Sequence, residues 1–512
     1  MTDPRSERGI KGVDEANLSV TLGPADQLIR FTWIILLCCS LGLLASSVYR
    51  AITFPFVHDE SLSFSIFNWS PGEAVTANNH LLNTWLMHLC SKLLGNAELS
   101  LRLPNLLAHA LYLACGLLLL KRTQNAVLMI AGFVLLNLNP FLLDFFFLAR
   151  GYGLALAFML LSLYLIVRAY EGKQKHGFVK YTYFSVCAGA LSVLSNFTLL
   201  NFFLPLLLVA SWFLLSDKLL RRFSASYIRP ALPLFLASSS FLAFVLSETF
   251  RLKKGGHLYS GGKKNFLSDT VGSLVHCSLY SVSYSRSIEN NILLVLVGLF
   301  IILLLVGLCL FLFRKVVPLA VPIIVILTCA VALPTLQHYL GKTLYPTERA
   351  ALYYVPLLAL ALVLAFNWFV QLSSQSWKKA LTLILPIACA SVISWHFYKS
   401  FDTRTCYTWP FDAHNDEVLE IIYRDRQINF PDRTVKMSNS WKMEPSLNFY
   451  RVTRNYDWLA RVTRNPINTS ESDYVYALES DIGMIQVNNH TRLASYPDTQ
   501  TVLLRVGKVK GT

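Results

Sequence analysis

Long apolar runs recur along the chain from Phe31 to about Tyr398, and short polar connections separate them. Each run holds about 18 to 25 residues, enough for a helix to cross a hydrocarbon core of about 30 Å. By length and hydrophobicity the runs predict about eleven membrane spans. The predicted spans lie at roughly 31–50, 102–120, 125–143, 151–169, 178–195, 198–215, 230–247, 291–313, 316–336, 350–370 and 380–398. We therefore predict an all-α polytopic membrane protein.

The pattern changes after the last predicted span. Residues 399–512 are polar, with a helix-like run at 416–426 and strand-like runs at 434–437, 474–478 and 501–506. A stretch of about 110 residues can bury a modest core. The sequence thus predicts three parts: an N-terminal tail at 1–30, a transmembrane domain at 31–398, and a small C-terminal α/β domain at 399–512.

Basic residues fall in alternate connections, and this predicts the orientation of the chain. The connections on one side contain Lys121 and Arg122, the segments 168–180 and 218–229, Arg314 and Lys315, and Lys378 and Lys379. The N-terminal tail adds Arg5, Arg8, Lys11 and Arg30 to that side. Because Lys and Arg are enriched in cytoplasmic loops, we expect the N-terminus inside. The long loops 51–101 and 248–290 and the C-terminal domain are then expected outside.

Composition supports the membrane interpretation and removes two classes of function. The chain is 54% hydrophobic and 15% charged, whereas soluble domains average about 25% charged residues. The net charge of +15 is accounted for largely by the short loops, so no nucleic-acid partner is predicted. Most of the ten cysteines lie in apolar runs and form no paired metal motif, so no zinc site or disulfide framework is predicted. The polar N-terminal segment lacks a signal-peptide pattern, so the first span is expected to be retained.

Two adjacent carboxylates, Asp59 and Glu60, follow the first predicted span. At this position water, headgroups and a substrate can meet, although a solvated helix end would also carry such a pair. His58 precedes the pair, and the same loop contains the polar run Asn-Asn-His-Leu-Leu-Asn-Thr at 78–84, with Asn79 and His80. Imidazole can bind a phosphate or a sugar hydroxyl. These neighbours favour a catalytic role.

Further ionisable residues lie near the outer ends of predicted spans. Arg102 opens the second span, Asp144 and Arg150 flank the junction of the third and fourth, and Arg349 opens the tenth. Ionisable groups at that depth cost a few kcal/mol unless they are paired or face water. The alternative to a functional site is a structural Asp144–Arg150 pair with a snorkelling Arg102.

The predicted outer loop 248–290 carries a glycine-rich basic cluster made of Arg251, Lys253, Lys254, Lys263 and Lys264. Positive charge outside opposes the orientation trend, so orientation does not explain it. The cluster suits a phosphate or an anionic lipid headgroup, and an ordinary mobile loop is the alternative.

The order of these motifs resembles one family. Asp59-Glu60, the run at 79–84, Arg-Leu-Pro at 102–104 and Ala-Arg-Gly-Tyr at 149–152 resemble the GT-C class of integral-membrane glycosyltransferases. More narrowly, they look like the bacterial relatives of protein O-mannosyltransferases and lipid A aminoarabinose transferases. The resemblance is strongest over residues 30–170. It implies a bacterial inner-membrane enzyme with a polyprenyl-phosphate-linked sugar donor and an extracytoplasmic glycan, lipid or protein acceptor.

The resemblance also implies a catalytic aspartate in the first outer loop, which maps onto Asp59. We expect Asp59 to act as base and Glu60 to orient the acceptor or the aspartate, with inversion of the anomeric centre. The expected ligands of the leaving phosphate are Arg349 and Arg150, assisted by Arg102, His80 and Lys342. The expected contacts to acceptor or sugar are His58, Asn79 and Tyr152. No cofactor is assigned, and a divalent cation at the acidic pair is left open as an alternative.

Two other classes of function compete with a transferase. A transporter or flippase of a lipid-linked glycan also needs many spans and buried polar groups. Transporters often show repeated halves with broken helices at mid-membrane, whereas here the ionisable residues gather at one face and no repeat is evident. A non-catalytic scaffold that docks partners through its outer tail is the third possibility.

Overall fold

The computed structural model describes residues 23–172, 178–216, 232–258, 260–280, 282–313, 319–482 and 490–507. The predicted fold class is confirmed: long apolar helices form a membrane bundle, and a small sheet lies near the C-terminus. The bundle helices are α1 (Pro24–Thr53), α4 (Glu98–Leu120), α5 (Ala126–Asn137), α6 (Pro140–Phe147), α7 (Gly151–Glu171), α8 (Phe178–Ser195), α9 (Leu200–Ser216), α10 (Leu232–Lys254), α12 (Arg286–Phe313), α13 (Ala320–Gly341), α14 (Tyr354–Leu372) and α15 (Ser376–Ser400).

Helix α1 begins at Pro24 rather than at Phe31, so apolar length alone set the predicted boundary too late. Residues 1–22, the basic connection 218–229, and Arg314 with Lys315 lie outside the described residues. Three shorter helices lie between the spans, namely α2 (His58–Ser65) and α3 (Leu81–Leu94) in the first outer loop and α11 (Gly272–Ser278) in the second.

The predicted span at 125–143 is a broken helix. Helices α5 and α6 are bent by 64° at a short break. Asn139 caps α6 by accepting a hydrogen bond from the Leu142 N–H at 3.2 Å, and Pro140 occupies the first turn. Proline has no N–H to continue the preceding helix but fits the first turn of a new one. The break turns α6 so that its residues Asp144 to Phe147 reach the segment around Arg150.

Contacts between loops that are distant in sequence bear on the number of membrane spans. Among the described residues ten helices are long and apolar enough to cross a membrane, and the bent pair adds an eleventh if it forms one span. Arg50, at the end of α1, donates to the Thr405 carbonyl at 2.8 Å, and the His58 N–H donates to Asp412 at 2.8 Å. These contacts bring the end of α1 and the segment after α15 together. An even number of crossings between them fits this contact, and the described helices give an even number when the bent pair is counted as one span.

The C-terminal residues form a four-stranded sheet of order β1-β2-β4-β3, made of β1 (Met437–Asn439), β2 (Tyr474–Leu478), β3 (His490–Tyr496) and β4 (Thr501–Val506). Strand β1 is parallel to β2, and the other pairs are antiparallel. Helices α16 (Asn415–Asn429), α17 (Glu444–Thr453) and α18 (Glu479–Ile482) accompany it. The helix and the last two strands predicted here are present. The run at 434–437 instead contributes an isolated bridge before β1, and β3 has no counterpart in the prediction.

The C-terminal part shares a hydrophobic core with the first outer loop. Phe56 stacks on Phe449 with ring centroids 4.1 Å apart, and its N–H donates to the Tyr450 hydroxyl at 2.6 Å. Phe64 and Met87 of the loop belong to the same cluster of buried side chains. The C-terminal part therefore packs directly on the segment that carries Asp59 and Glu60.

Candidate active site

Asp59 lies in the first turn of α2 and faces two arginines. Arg349 Nη1 is 3.0 Å from Asp59 Oδ2, and Arg150 Nη2 is 3.5 Å from the same oxygen. The side-chain amide of Asn78 donates to Asp59 Oδ1 at 3.1 Å. Two cations from distant parts of the chain thus converge on one buried carboxylate.

The arginines set the charge state of Asp59. Burial alone would raise the pKa of Asp59, but the Arg349 and Arg150 guanidiniums, followed by His58 and the Asn78 hydrogen bond, outweigh it. The pKa of Asp59 is therefore held well below its ordinary value. The carboxylate is an anion throughout the neutral range, and it is a weaker proton acceptor than a free aspartate.

Arg150 is fully buried and is bound to the loop around Asp59. Its guanidinium donates to the Asp59 carbonyl at 3.0 Å, to Ser63 Oγ at 2.9 Å and to Asn78 Oδ1 at 2.6 Å. It does not pair with Asp144, so the structural pair considered as an alternative is wrong. Arg150 instead fixes the shape of the loop and adds positive charge beside Asp59.

Asp144 pairs with Arg50 at 2.8 Å, and both side chains are buried. The Tyr280 hydroxyl donates to Asp144 at 2.8 Å, and the Tyr407 N–H donates to the same carboxylate at 3.1 Å. Two buried opposite charges with additional hydrogen bonds hold together chain segments that are remote in sequence. This cluster ties α1, α6, the end of α11 and the segment after α15 together next to the Asp59 loop.

Arg349 is the accessible cation of the Asp59 pair, with 28% of its side chain exposed. Its guanidinium carbon lies 5.1 Å from the Trp409 ring centroid and 6.0 Å from that of Tyr152. Aromatic faces hold a guanidinium by cation–π attraction while leaving its N–H donors free to bind other groups. Arg349 is therefore placed to bind an anion in front of Asp59.

Glu60 and Arg102 form a closed ion pair. Arg102 donates to Glu60 through Nε at 2.9 Å and Nη2 at 2.6 Å, and both side chains have no exposed surface. Its other donors bind the backbone carbonyls of Ala51, Phe54 and Pro55. All five guanidinium N–H groups are used, so the predicted role of Arg102 as a phosphate ligand is wrong.

Glu60 is as fully engaged as its partner. Besides the arginine, its carboxylate accepts the Val57 N–H at 3.0 Å and the Ala149 N–H at 2.6 Å. The first of these bonds caps α2, and the second joins α2 to the segment that carries Arg150. Glu60 therefore positions the loop, and it does not contact a reacting group.

His80 was predicted to bind the donor phosphate, but in the structure its imidazole is buried and neutral. Its Nδ1 contacts the Ser195 carbonyl at 3.0 Å, which can only accept, so Nδ1 carries the proton. Burial, then Arg150 and Arg349, lower the pKa of His80 well below its ordinary value, so the ring is neutral. Nε2 is buried and meets no hydrogen-bond partner in the described part of the chain. A neutral Nε2 can accept from a hydroxyl but cannot donate to a phosphate.

Of the remaining predicted site residues, some lie beside Asp59 and Arg349 and others do not. Tyr152 packs edge-on against His80 at 4.7 Å and lies under Arg349. Asn79 uses its amide to bond the Ala74 carbonyl and the Thr84 hydroxyl, which shapes the loop. His58 Nε2 is 3.9 Å from Asp59 Oδ1. Lys342 follows α13 in a left-handed conformation and is exposed, with no described contact to Asp59.

The basic second loop is attached to the segment that carries Arg349. Gly262 and Tyr345 exchange two backbone hydrogen bonds at 2.9 Å, and the Glu348 N–H donates to Ser273 Oγ at 2.9 Å. The cluster of lysines near Gly262 is exposed. In the described residues no group of three or more His, Cys, Asp or Glu side chains could hold a metal ion, so the cation left open at the acidic pair gains no ligand set.

An apolar cavity of about 950 Å³ lies inside the membrane bundle, between α5, α11, α12, α13, α14 and α15. Its walls are mainly Leu, Val, Ile and Phe side chains, and its few polar lining residues include Asn139, Ser278, Tyr284 and His396. Phe266 lines it and packs edge-on against Tyr354, which follows the Arg349 turn. The cavity therefore borders the structural elements that carry the cationic site.

Comparison with known proteins agrees with this arrangement. Residues 79–245 match the family model described as dolichyl-phosphate-mannose-protein mannosyltransferase. The match overlaps the part of the chain, residues 30–170, in which the sequence resembles GT-C glycosyltransferases. The matched range includes His80, Arg102, Arg150 and Tyr152.

Two solved structures are similar over most of the chain. One is ArnT from Cupriavidus metallidurans bound to undecaprenyl phosphate, which is 11% identical in sequence and superposes with a TM-score of 0.48. The match covers 93% of this chain and 98% of the ArnT chain. The archaeal oligosaccharyltransferase AglB from Archaeoglobus fulgidus, in complex with an inhibitory peptide and a dolichol-phosphate, has 12% identity. It covers 86% of this chain and 69% of its own, with a TM-score of 0.43. No curated protein sequence matches.

Sequence reasoning missed several residues of the site. Trp409, under Arg349, lies in a polar segment after the last span, where nothing marked it as part of a membrane site. Asp412 bonds the His58 N–H, and Lys442 offers its carbonyl to the His58 ring. Both come from the C-terminal part. Asn78 was within the polar run, but only the fold reveals that it bridges Asp59 and Arg150.

Proposed function

We propose that the protein transfers a sugar from a polyprenyl-phosphate-linked donor to an extracytoplasmic acceptor, with inversion at the anomeric carbon. The observation that carries the proposal is the ion pair of a buried Asp59 with a partly exposed Arg349, 3.0 Å apart. Such a pair offers a cation for the leaving phosphate and a carboxylate for the incoming hydroxyl within one site.

The donor assignment rests on charge and on apolar volume. Arg349 keeps free N–H donors in front of Asp59 and can bind a phosphate with charge-assisted hydrogen bonds. The cavity of about 950 Å³ borders the same structural elements and suits an isoprenoid chain, because its walls are apolar. The matched family is named for transferases that use dolichyl-phosphate mannose, and this supports a lipid-phosphate donor as well.

The residues then divide the work of a single displacement. Arg349 binds the departing phosphate, and Arg150 adds a fixed positive charge that is already in place before reaction. Asp59 places a negative charge beside the acceptor hydroxyl, which favours loss of its proton as it attacks opposite the phosphate. His80 accepts a hydrogen bond from a donor-sugar hydroxyl through Nε2, and Tyr152 packs beside that sugar.

The proposed location is a bacterial inner membrane. Basic residues in alternate connections support an N-terminus in the cytoplasm. Because the loops that carry Asp59, Arg150 and Arg349 contact one another, they share a face, which we propose to be extracytoplasmic. In the same proposal residues 31–398 form the catalytic membrane domain, and residues 399–512 form an outer domain that packs on it. Membrane lipids surround the bundle.

The test is transfer by the purified protein in liposomes that contain a polyprenyl-phosphate sugar. We expect release of free polyprenyl phosphate and a glycosylated product when acceptor glycans, lipids or peptides are supplied. A flippase would instead move the labelled donor between leaflets without breaking the sugar–phosphate bond. Leaflet movement with an intact donor would therefore contradict the proposal, and mass analysis of the lipid distinguishes the two outcomes.

A further inference from the structure

His58 stands at the junction between the first outer loop and the C-terminal part. Its backbone N–H donates to Asp412 Oδ2 at 2.8 Å, and its ring Nδ1 hydrogen-bonds the Lys442 carbonyl. The ring is also edge-on to Trp441 and Phe411, with centroids 6.1 and 6.5 Å away. These contacts fix both the position and the plane of the imidazole.

The Lys442 carbonyl also fixes the tautomer. A carbonyl oxygen can only accept, so the proton of the neutral ring must be on Nδ1. Among the described residues no hydrogen bond engages Nε2, which lies 3.9 Å from Asp59 Oδ1. This separation is too long for a direct hydrogen bond. An acceptor hydroxyl at the usual distance of about 2.8 Å from Nε2 would donate its single proton to this nitrogen.

Asp59 alone is a poor final acceptor for the proton of the acceptor hydroxyl. Its carboxylate is paired with Arg349 and Arg150, and these charges hold its pKa well below the ordinary value. General bases work best when their pKa is close to the working pH. The neighbouring His58 ring offers a nitrogen lone pair as acceptor, and the Asp59 carboxylate 3.9 Å away would attract the resulting imidazolium.

We infer that His58 Nε2 takes the proton of the acceptor hydroxyl, and that the Asp59 carboxylate, 3.9 Å away, stabilises the imidazolium that forms. The inference rests on the proposed transfer reaction. The acceptor oxygen bonds to the anomeric carbon as the bond from that carbon to the phosphate oxygen breaks. The electron pair of the broken bond leaves with the polyprenyl phosphate. The proton moves to His58 Nε2, and the imidazolium later releases it to water.

The C-terminal part therefore completes the site by positioning His58. The charged and titratable groups that face the imidazole are Asp59 from α2, Asp412 from the turn before α16, and Lys442 from the turn before α17. Burial raises the pKa of Asp412 to about 6, although hydrogen bonds from Ser446 and the nearby His58 oppose the rise. Asp412 is a positioning residue, because it binds the His58 backbone and Ser446 rather than a substrate.

The test compares His58→Gln with the wild type in the liposome assay, with kcat and donor affinity measured from pH 5 to pH 9. We expect kcat to fall by about 10²- to 10⁴-fold, the range for loss of a general base. Donor affinity should change less than twofold. The decline of the wild-type rate at acid pH should disappear in the variant, because glutamine does not titrate. His88→Gln, a histidine of α3 that stacks on Phe67 at 4.1 Å, is the matched control.

The alternative source of an acid limb is Asp412. The variant Asp412→Asn should lower kcat but retain the acid limb, because His58 is still present. If His58→Gln does not fold, His58→Ala with added imidazole replaces it, and restored turnover supports the inference. A folded His58→Gln within twofold of wild type, or a folded His58→Ala that imidazole does not change, overturns it. A wild-type protein that transfers no sugar would count against the proposed function instead.

Discussion

Asp59 and Glu60 are neighbours on one short helix, both are buried, and each pairs with arginine, yet their surroundings are opposite. Glu60 faces an Arg102 whose five N–H donors are all bound within the protein. Asp59 faces an Arg349 that is partly exposed, and His58 Nε2 lies 3.9 Å from its other carboxylate oxygen. One pair is closed to ligands and the other is open to them.

The difference teaches how to separate structural from functional charge in a membrane protein. A buried ion pair is retained because breaking it leaves an uncompensated charge, and its hydrogen bonds fix the path of the backbone. A pair with unused donors and some exposure keeps its capacity for a ligand. By this criterion Glu60 and Arg102 build the loop, and Asp59 and Arg349 are the pair that we propose to act on the substrate.

The largest expected effect comes from Asp59→Asn. Transfer should fall by about 10²- to 10⁴-fold, the range for loss of a group in acid–base catalysis, because the amide can neither balance the two arginines nor stabilise the imidazolium of His58. The liposome assay measures this, and thermal unfolding of the purified protein controls for folding. Nearly full activity in Asp59→Asn would remove the distinction between the two carboxylates.

Arg102→Met should act on stability instead. Removing one partner of a buried pair costs about 3–5 kcal/mol, and here three backbone carbonyls also lose their donors. We expect a large drop in the thermal unfolding midpoint. Arg349→Met is the matched control and should lower the midpoint far less, because its side chain is partly exposed. Equal losses in the two variants would contradict the comparison.

Arg349→Ala should weaken donor binding. A hydrogen bond to a charged group is worth about 1.5–3 kcal/mol, so the dissociation constant for polyprenyl phosphate should rise roughly 10- to 100-fold. Binding of the lipid phosphate to the detergent-solubilised protein measures this. Lys342→Ala, at an exposed residue without a described contact to Asp59, should change the constant less than twofold. An equal or larger effect at Lys342 would shift the phosphate site toward the end of α13.

The smallest effect is a pH dependence that separates Asp59 from Asp412. Because the folded pKa of Asp59 is depressed, its stabilising contribution is complete above the unfolded value of about 3.9. Its contribution should therefore be constant between pH 5 and pH 8. Asp412 has a folded pKa raised to about 6, so the folded state holds its proton more tightly and stability falls as pH rises toward and through 6.

The measurement is the thermal midpoint from pH 4.5 to pH 7.5. The difference between wild type and Asp59→Asn should stay flat over this range. The difference between wild type and Asp412→Asn should change around pH 6, because asparagine removes the titration. A flat difference for Asp412→Asn would mean that this carboxylate is not desolvated in solution.

Sequence patterns were sufficient to predict the helix bundle, because a long uninterrupted apolar run is a reliable sign of a membrane helix. The break between α5 and α6 was also encoded, as an asparagine cap followed by Pro140, but it lay within an apolar run and was read as one span. Strand β3 was missed because most of its side chains are exposed, so it lacks the alternating pattern of a half-buried strand.

The site was only partly legible. Asp59 and Arg349 were selected because ionisable groups near the ends of spans are costly, and the structure brings these two side chains together. The roles proposed for them came from the family resemblance. The ion-pair partners could not be predicted from the sequence. Asp144 pairs with Arg50 rather than with the nearby Arg150, and Arg102 pairs with Glu60. Such pairings depend on how helices pack, and one sequence does not contain that information in local form.

The junction of His58 with Asp412 and Lys442 has a consequence for biosynthesis. Asp59 leaves the ribosome early, whereas the groups that surround it follow from Arg349 to Lys442. At about 5–20 residues per second, the nascent chain spends on the order of tens of seconds with the first loop made and its partners absent. A truncated product that retains every span but stops before Lys442 would insert in the membrane without acquiring a complete centre. Activity would then begin only after the last part of the chain has folded.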